Sequence, residues 1–221
     1  IIDSDGKDNM LIPEKVRKDY YRYSPDELRS VIREAGIIGL GGSGFPTASK
    51  ILSGNEIDIL IANGCESEPM IGADESLMAE KPREIIEGMK IIMYILDLFK
   101  GIIAVQEKKK QAINEIKNVI FREPNITLKI LKTRYPQGAE RQLIRTVTGL
   151  EIQPELFPVQ EGVLVLNVAT CFAVYEAVVK GIPLYRRIVT VSGDLVREPG
   201  NYEVRIGTRA SHLGHNTAKA G

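Results

Sequence analysis

The residues of this chain that are best suited to bind a ligand form a glycine-rich stretch, IIGLGGSGFPTASK, at positions 37–50. Because glycine has no Cβ, backbone N–H groups in such a stretch can turn inward and approach a ligand closely. Inward-facing N–H groups at the start of a helix attract anions, and a lysine adds positive charge. The stretch therefore predicts a phosphate-binding site made by Gly39, Gly41, Gly42, Gly44 and Lys50.

The context of this stretch differs from that of the common dinucleotide motif. Three of its glycines satisfy G-x-G-x-x-G, but that motif should follow a strand. Here residues 24–34 predict a helix, since Ser24 can cap it and Leu28 and Ile32 recur at helical spacing. A tight turn between two helices, closed by a glycine cap, is the alternative interpretation. Four glycines followed by Phe-Pro-Thr and a lysine favour ligand binding.

Composition restricts the classes of function that the chain can have. The 221 residues contain 29 basic and 29 acidic side chains, so the formal net charge is zero and no nucleic-acid partner is expected. No apolar run reaches the roughly 18 residues of a membrane helix, so no direct membrane span is expected. Cys65 and Cys171 do not have metal-ligand spacing, so no metal site is expected. Two isolated thiols are typical of reduced cysteines in a cytoplasmic protein.

Short apolar segments alternate with helical segments after the glycine-rich stretch. This alternation predicts an α/β fold with a largely parallel sheet. Strands are predicted at 57–62, 101–106, 126–132 and 162–168, and helices at 49–52, 74–100 with a break near Pro82, 109–121, 138–149 and 171–181.

Three segments of different character follow from this pattern. Residues 1–23 are predicted to form an extended lead-in, and residues 24–183 the α/β domain. Alternating apolar residues within 184–208 predict a β-ribbon. Residues 184–221 are therefore predicted to be the start of a second, small and incomplete domain.

Polar residues follow the predicted strands where ligands of parallel sheets collect, beyond the carboxyl ends. The segments concerned are Asn63–Pro69, Tyr135–Glu140 and Asn167–Thr170. Glu66 and Glu68 in the first segment are candidates for ligand contact. They can equally cap the helix that follows, and the sequence leaves both interpretations open.

A family resemblance is carried by GLGGSGFPTASK, NGCESEPMIGADESLM, KTRYPQGAERQLIRTVTG, LNVATCFAVYEAVVKGIPLYRRIVTVSGD and EPGNYEVRIGT. With these motifs, residues 39–208 resemble the C subunit of Rnf-type electron-transport complexes and the proline-reductase-associated electron-transfer protein of clostridia. The chain more distantly resembles the NADH-binding flavoprotein subunit of complex I. The resemblance implies a Rossmann-like domain that binds FMN and NAD, followed by the start of a β-grasp, ubiquitin-like domain.

The resemblance also implies roles for individual residues. The glycines and Lys50 would hold the FMN phosphate, and Asn63 would bond the polar edge of the flavin. Glu68 and Glu140 would be the catalytic acidic residues, and Glu68 and Phe157 would contact the nicotinamide substrate. The implied cofactor-binding set is Gly39, Gly41, Gly42, Gly44, Lys50, Asn63, Glu66, Ser67, Gly138, Asn167 and Thr170.

The function implied by the resemblance is that of an NADH-linked oxidoreductase, an electron-transfer flavoprotein module. It would pass electrons between NAD(H) and FMN toward iron–sulfur clusters outside this chain, because two cysteines cannot supply the four thiolates of a cluster. Implied partners are NADH, an iron–sulfur or ferredoxin-like protein, and other subunits of an electron-transport or reductase complex at the inner face of the cell membrane. The alternatives are a cofactor-free docking or scaffold subunit of such a complex and a simple nucleotide-binding protein.

Overall fold

The computed structural model describes residues 19–51 and 56–217. The first 18 residues of the predicted lead-in and position 52 of the second predicted helix lie outside this part of the chain. Residues Tyr20–Arg22 form a 3-10 turn, so the prediction of an extended lead-in is wrong here. The reason is aromatic packing: Tyr20 is 1% exposed, and the Tyr94 hydroxyl donates to the carbonyl oxygens of Tyr21 and Tyr23 over 3.2 and 3.1 Å.

The two helices around the glycine-rich stretch are α1, Pro25–Glu34, and α2, Thr47–Ile51. Helix α1 begins with a capping box in which the Ser24 hydroxyl accepts from the Glu27 backbone N–H and the Glu27 carboxylate accepts from the Ser24 N–H. The predicted order of helix, glycine-rich loop and helix is confirmed.

Four parallel strands form the central sheet: β1, Ile59–Gly64; β2, Gly101–Gln106; β3, Ile126–Leu131; and β4, Val163–Asn167. Their order across the sheet is β3-β2-β1-β4. The chain moves outward from β1 to β3 and then returns to the other side of β1, so the order reverses between β1 and β4. Ligands of open α/β sheets bind at such a switch point, and here Asn63 and Asn167 are register partners across it.

Helices cover both faces of the sheet, as the alternating pattern predicts. Helix α4, Pro82–Ile95, packs closely on α7, Val168–Tyr175, and Gly88 of α4 permits this because a side chain there would collide with the Cys171 backbone. Helix α7 continues as a π-helical turn, Glu176–Lys180, that the sequence pattern does not distinguish from an α-helix. The helices are α3, Ala73–Glu80; α4, Pro82–Ile95; α5, Lys110–Ile120; α6, Glu140–Thr148; and α7, Val168–Tyr175.

A separate antiparallel ribbon follows, made of β5, Arg186–Val191, and β6, Gly200–Arg205. Helix α8, Ala210–Thr217, comes after it. The ribbon is attached to the start of α3, where the Asn201 amide donates to the Gly72 carbonyl over 3.0 Å and the Gly72 N–H donates to Thr190 Oγ1 over 3.0 Å. The predicted ribbon is confirmed, and its place in a β-grasp domain stays a prediction. Within the described ranges, no helix has the length and apolar character needed to cross a membrane.

Candidate functional site

The glycine loop, residues 39–45, is a tight turn that closes on itself between α1 and α2. The Gly39 N–H donates to the Phe45 carbonyl over 2.8 Å, and the Gly44 N–H donates to the Gly39 carbonyl over 3.0 Å. Gly42 and Gly44 have φ values of 105° and 60°, in the left-handed region that favours glycine. These two predicted glycines therefore shape the loop.

Part of the loop backbone is left available to a ligand. The Leu40 N–H donates to Thr170 Oγ1 over 3.0 Å, and the Phe45 N–H is directed to Ser43 Oγ at 3.4 Å. Among the described residues, these bonds leave the N–H groups of Gly41, Gly42 and Ser43 without a protein acceptor. Consecutive free N–H groups are a common anion-binding device.

A cavity of about 240 Å³ joins the glycine loop to the carboxyl ends of β1 and β4. We call it the strand-end cavity. It brings together nine residues that the sequence assigned to the site: Gly39, Gly41, Lys50, Asn63, Ser67, Gly138, Glu140, Asn167 and Thr170. Six further lining residues were not predicted: Ser43, Phe45, Thr47, Ala139, Val165 and Leu166.

Thr47 is the most informative of the unpredicted lining residues. It is 1% exposed, and its Oγ1 has no hydrogen-bond partner in the part of the chain that the structure describes. Buried side-chain oxygens almost always have a partner in folded proteins. The sequence signal for this residue was its place directly after the Phe-Pro pair at the start of α2.

The two asparagines hold the strand ends in place. The Asn63 amide donates to the Gly138 carbonyl over 2.9 Å, and its oxygen accepts from the Cys65 N–H over 3.0 Å. The Asn167 oxygen caps α7 by accepting from the Ala169 N–H over 2.8 Å. The Asn167 amide nitrogen donates to Asp74 Oδ2 over 2.6 Å. Both side chains are therefore fixed in orientation at the floor of the cavity.

Two glycines are required by the closeness of neighbouring segments. A Cβ on Gly41 would lie 3.0 Å from Asn167 Cβ, and a Cβ on Gly138 would lie 2.6 Å from the Cys65 carbonyl oxygen. Carbon atoms in contact prefer separations of about 3.5–4.0 Å. A larger residue at either position would therefore push one wall of the cavity outward.

Lys50 carries positive charge to the cavity, but this charge is already paired. Its Nζ lies 3.1 Å from Glu140 Oε1 and donates to the Val165 carbonyl over 3.1 Å. Glu140 is the first residue of α6, so the ion pair joins α2 to α6 across the cavity. A bound phosphate would have to share Lys50 with Glu140.

The acidic turn after β1 shows the helix-capping geometry for Glu66. Its Oε1 accepts from the backbone N–H groups of Asp74 and Glu75 over 3.1 Å each, at the start of α3. Burial raises the pKa of Glu66, and these N–H groups and Lys109 partly oppose that effect. Burial, with Glu66 as a second cause, also raises the pKa of Asp74 to about 7. The carboxylate of Glu66 thus caps the N-terminus of α3. Asp74, which accepts a hydrogen bond from Asn167, was not predicted from the sequence.

Glu68 lies in an adjoining cavity of about 320 Å³ that shares Ser67 with the strand-end cavity. The adjoining cavity also has Arg134 and Tyr135 in its wall. Phe157 is 72% exposed at the start of a 3-10 turn and lines neither cavity. Gly42 and Gly44 shape the loop without lining either cavity.

The two thiols are free and buried. Burial raises the pKa of Cys65 and of Cys171 to about 12, so neither is a reactive thiolate near neutral pH. Within the described ranges, no group of three or more side chains of the types that bind metals is gathered at one point.

The sequence is similar to known proteins over most of its length. The Nuo51 FMN-binding domain model (Complex1_51K) matches residues 32–176. The C subunit of the ion-translocating oxidoreductase complex of Haemophilus influenzae (strain PittEE) is 41% identical over 96% of this chain and 33% of its own length. The C subunit of the proton-translocating ferredoxin:NAD(+) oxidoreductase complex of Clostridium ljungdahlii is 39% identical over 94% of this chain and 46% of its own length.

Among solved structures, an NAD+-reducing NiFe hydrogenase in its H2-reduced state shares the fold. The TM-score is 0.77 with 23% sequence identity, over 90% of this chain and 40% of the hydrogenase chain. The predicted resemblance to C subunits and the predicted fold class are confirmed. The chain spans between a third and a half of the length of these relatives.

Proposed function

The chain belongs to the Nuo51 FMN-binding domain family, and on this basis we propose that its strand-end cavity binds FMN and exchanges electrons between FMN and NAD(H). The similarity to subunits of oxidoreductase complexes supports an oxidoreductase role. We further propose that NAD(H) is the electron-pair partner of FMN and that individual residues of the site have separate tasks.

The observation that carries the proposal is Thr47, a residue of the cavity wall whose buried Oγ1 has no hydrogen-bond partner among the described residues. A ligand rich in oxygen and nitrogen would supply the missing bond. The N–H groups of Gly41 and Ser43, two residues that line the cavity, offer a second set of donors suited to a phosphate. The residues present therefore fit a flavin mononucleotide.

Each part of the cavity has a definite task in this proposal. The glycine loop and Lys50 would hold the phosphate, while Asn63 and Asn167 keep the strand ends at a fixed separation. Val165 and Leu166 provide apolar surface that excludes water. When bound, FMN takes up an electron pair as hydride and releases electrons singly.

The proposed position of NAD(H) rests on Ser67, which lines both cavities. We place the nicotinamide nucleotide in the adjoining cavity, on the other side of Ser67 from the proposed FMN. Glu68 lines that adjoining cavity and is proposed to contact the nicotinamide. The catalytic role of Glu140 and the stacking role of Phe157 stay predictions.

The proposed electron acceptors are iron–sulfur proteins outside this chain. The sequence contains two cysteines, both buried, whereas each cluster needs a set of four thiolates. The similar proteins are named as subunits of complexes that translocate ions or protons. We propose that this chain works in such a complex, associated peripherally with the inner face of the cell membrane.

One observation favours the cofactor-free docking subunit as a second candidate. The Lys50–Glu140 ion pair neutralises the positive charge that a phosphate would use. A chain that had lost FMN would be free to keep this pair permanently.

An FMN titration followed by NADH addition separates the two candidates. The purified chain is titrated with FMN while the flavin fluorescence and visible spectrum are recorded, and NADH is then added without oxygen. The flavoprotein proposal requires saturable binding of one FMN per chain and bleaching of the bound flavin by NADH. Absence of saturable binding would support the docking subunit, and binding without bleaching would remove the NAD(H) part alone.

A further inference from the structure

The β-ribbon reaches the glycine loop through one side chain. Arg187 of β5 donates from Nη2 to the Leu40 carbonyl over 3.3 Å. On its other side, the Leu40 N–H is bonded to Thr170 Oγ1 at the start of α7. Leu40 is 9% exposed, so this residue of the glycine loop is held between α7 and the ribbon.

A second route leads from Arg187 to the next residue of the loop. Arg187 exerts an electrostatic attraction on Asp74, whose carboxylate accepts from the Asn167 amide over 2.6 Å. The Asn167 side chain in turn lies against Gly41, where an added Cβ would be only 3.0 Å from Asn167 Cβ. The two routes therefore converge on Leu40 and Gly41.

Residues of both routes also line a common space behind the glycine loop. A cavity of about 330 Å³ separates α3 and α7 from the ribbon. Its wall includes Leu40 of the loop together with Asp74 and Arg187. The ribbon and the rear of the glycine loop thus meet at one cavity.

We propose that Arg187 is a positioning residue for the glycine loop, so that the ribbon completes a binding site made mainly by the α/β domain. Arg187 acts directly on Leu40, and through Asp74 and Asn167 on Gly41. For its ligand, this inference rests on the proposed binding of FMN. The positioning itself is a property of the ligand-free chain and can be tested without FMN.

Variants of Arg187 are expected to fold, because the ribbon has other attachments. Thr190 and Asn201 bind the backbone of Gly72, and Arg186 bridges Glu176 and Glu203 over 2.9 and 2.7 Å. A suitable control is Arg197, which lies exposed in the connection between β5 and β6 and lines none of the three cavities. Arg187→Gln, Arg187→Lys and Arg197→Gln form a matched set.

The first arm measures backbone hydrogen exchange of the glycine loop in the ligand-free full chain. In Arg187→Gln the Leu40 amide hydrogen should exchange about tenfold faster than in wild type, because the Leu40 carbonyl loses its charged hydrogen-bond donor. Arg187→Lys should restore part of the protection, and Arg197→Gln should match wild type. Equal exchange in Arg187→Gln and Arg197→Gln would overturn the inference, whether or not FMN binds.

The second arm measures FMN affinity for the same variants and for Asp74→Asn. Arg187→Gln should weaken binding about tenfold, with an unfolding midpoint in urea equal to that of Arg197→Gln. The double variant Arg187→Gln/Asp74→Asn should show a smaller fold-loss of FMN affinity than the product of the two single fold-losses, since both residues act on one loop. Independent losses would contradict the shared route. If wild type does not bind FMN while loop exchange responds as expected, the proposed function fails and the positioning role stands.

Discussion

Replacing Thr47 by Val is expected to move ligand binding and folding stability in opposite directions. Valine has almost the shape of threonine but no hydroxyl. Thr47 is 1% exposed and its Oγ1 has no partner in the described part of the protein. A buried polar group without a partner costs about 1–3 kcal/mol. The ligand-free variant should therefore be more stable than wild type by about that amount.

The same substitution should weaken FMN binding. In the proposed complex the ligand supplies the partner of Oγ1, so wild type recovers the cost of the unpaired hydroxyl when it binds. The variant cannot recover it and leaves a polar ligand atom facing a methyl group. A difference of about 1–3 kcal/mol corresponds to an affinity loss between about fivefold and about 150-fold.

Urea unfolding of the ligand-free chain and fluorescence titration with FMN measure the two effects. Thr127→Val, at an exposed position of β3, should change neither quantity. Thr170→Val should destabilise the chain, because the Leu40 N–H then loses its acceptor. The proposed role of Thr47 is wrong if Thr47→Val binds FMN as wild type does, or if it destabilises the ligand-free chain.

Three further changes test other parts of the site. Gly41→Ala should weaken FMN binding about tenfold, because the added Cβ would press on Asn167. Gly200→Ala is the control: its added Cβ would lie 3.7 Å from the nearest atom, in the Tyr202 ring, and the variant should bind FMN as wild type does in the same titration. Glu66→Gln should lower the free energy of unfolding by about 1 kcal/mol, because it weakens the cap on α3, and it should leave FMN affinity unchanged. A loss of FMN affinity without destabilisation would instead favour a ligand-binding role for Glu66. Asp74 has its pKa raised to about 7, so its contribution to stability is full below about pH 4, is lost as the pH rises through about 7, and is constant above that. Urea titrations across this range should show a larger loss in wild type than in Asp74→Asn, where the raised pKa of Glu66 still contributes, and an identical pH profile for both proteins would contradict the assignment.

The pH dependence of Asp74 reflects charged groups on several neighbouring elements. Burial is the main cause of its raised pKa, and Glu66 adds to it. Arg187 of the ribbon, Lys109 before α5, and the hydrogen bond from Asn167 act in the opposite direction. Variants of these neighbours should therefore move the pH range over which stability changes.

The fold could be predicted from the sequence largely because its elements are determined locally. Apolar segments separated by helical ones predict a parallel sheet, and Ser24 with Glu27 determines where α1 begins. Tyr20 lies beyond the reach of such local patterns. Its burial depends on Tyr94, more than 70 positions further along the chain, which no local pattern reveals.

The site was predictable where a chain segment alone determines the geometry. The glycine loop follows from its own spacing, and Asn63 and Asn167 follow from the rule that strand ends meet at one edge. Glu66 remained open because capping α3 and contacting a ligand both suit an acid after a strand. Thr47, Asp74 and Arg187 were missed because their importance arises only from partners brought together by the fold.

A crystal structure of the chain with FMN tests the central proposal most directly. We expect one flavin in the strand-end cavity, with its phosphate against the N–H groups of the glycine loop and a ligand atom within hydrogen-bond distance of Thr47 Oγ1. We also expect Lys50 to turn at least partly from Glu140 toward the phosphate. FMN bound elsewhere, or a strand-end cavity that stays empty at saturating FMN with the Lys50–Glu140 pair intact, would contradict the proposal.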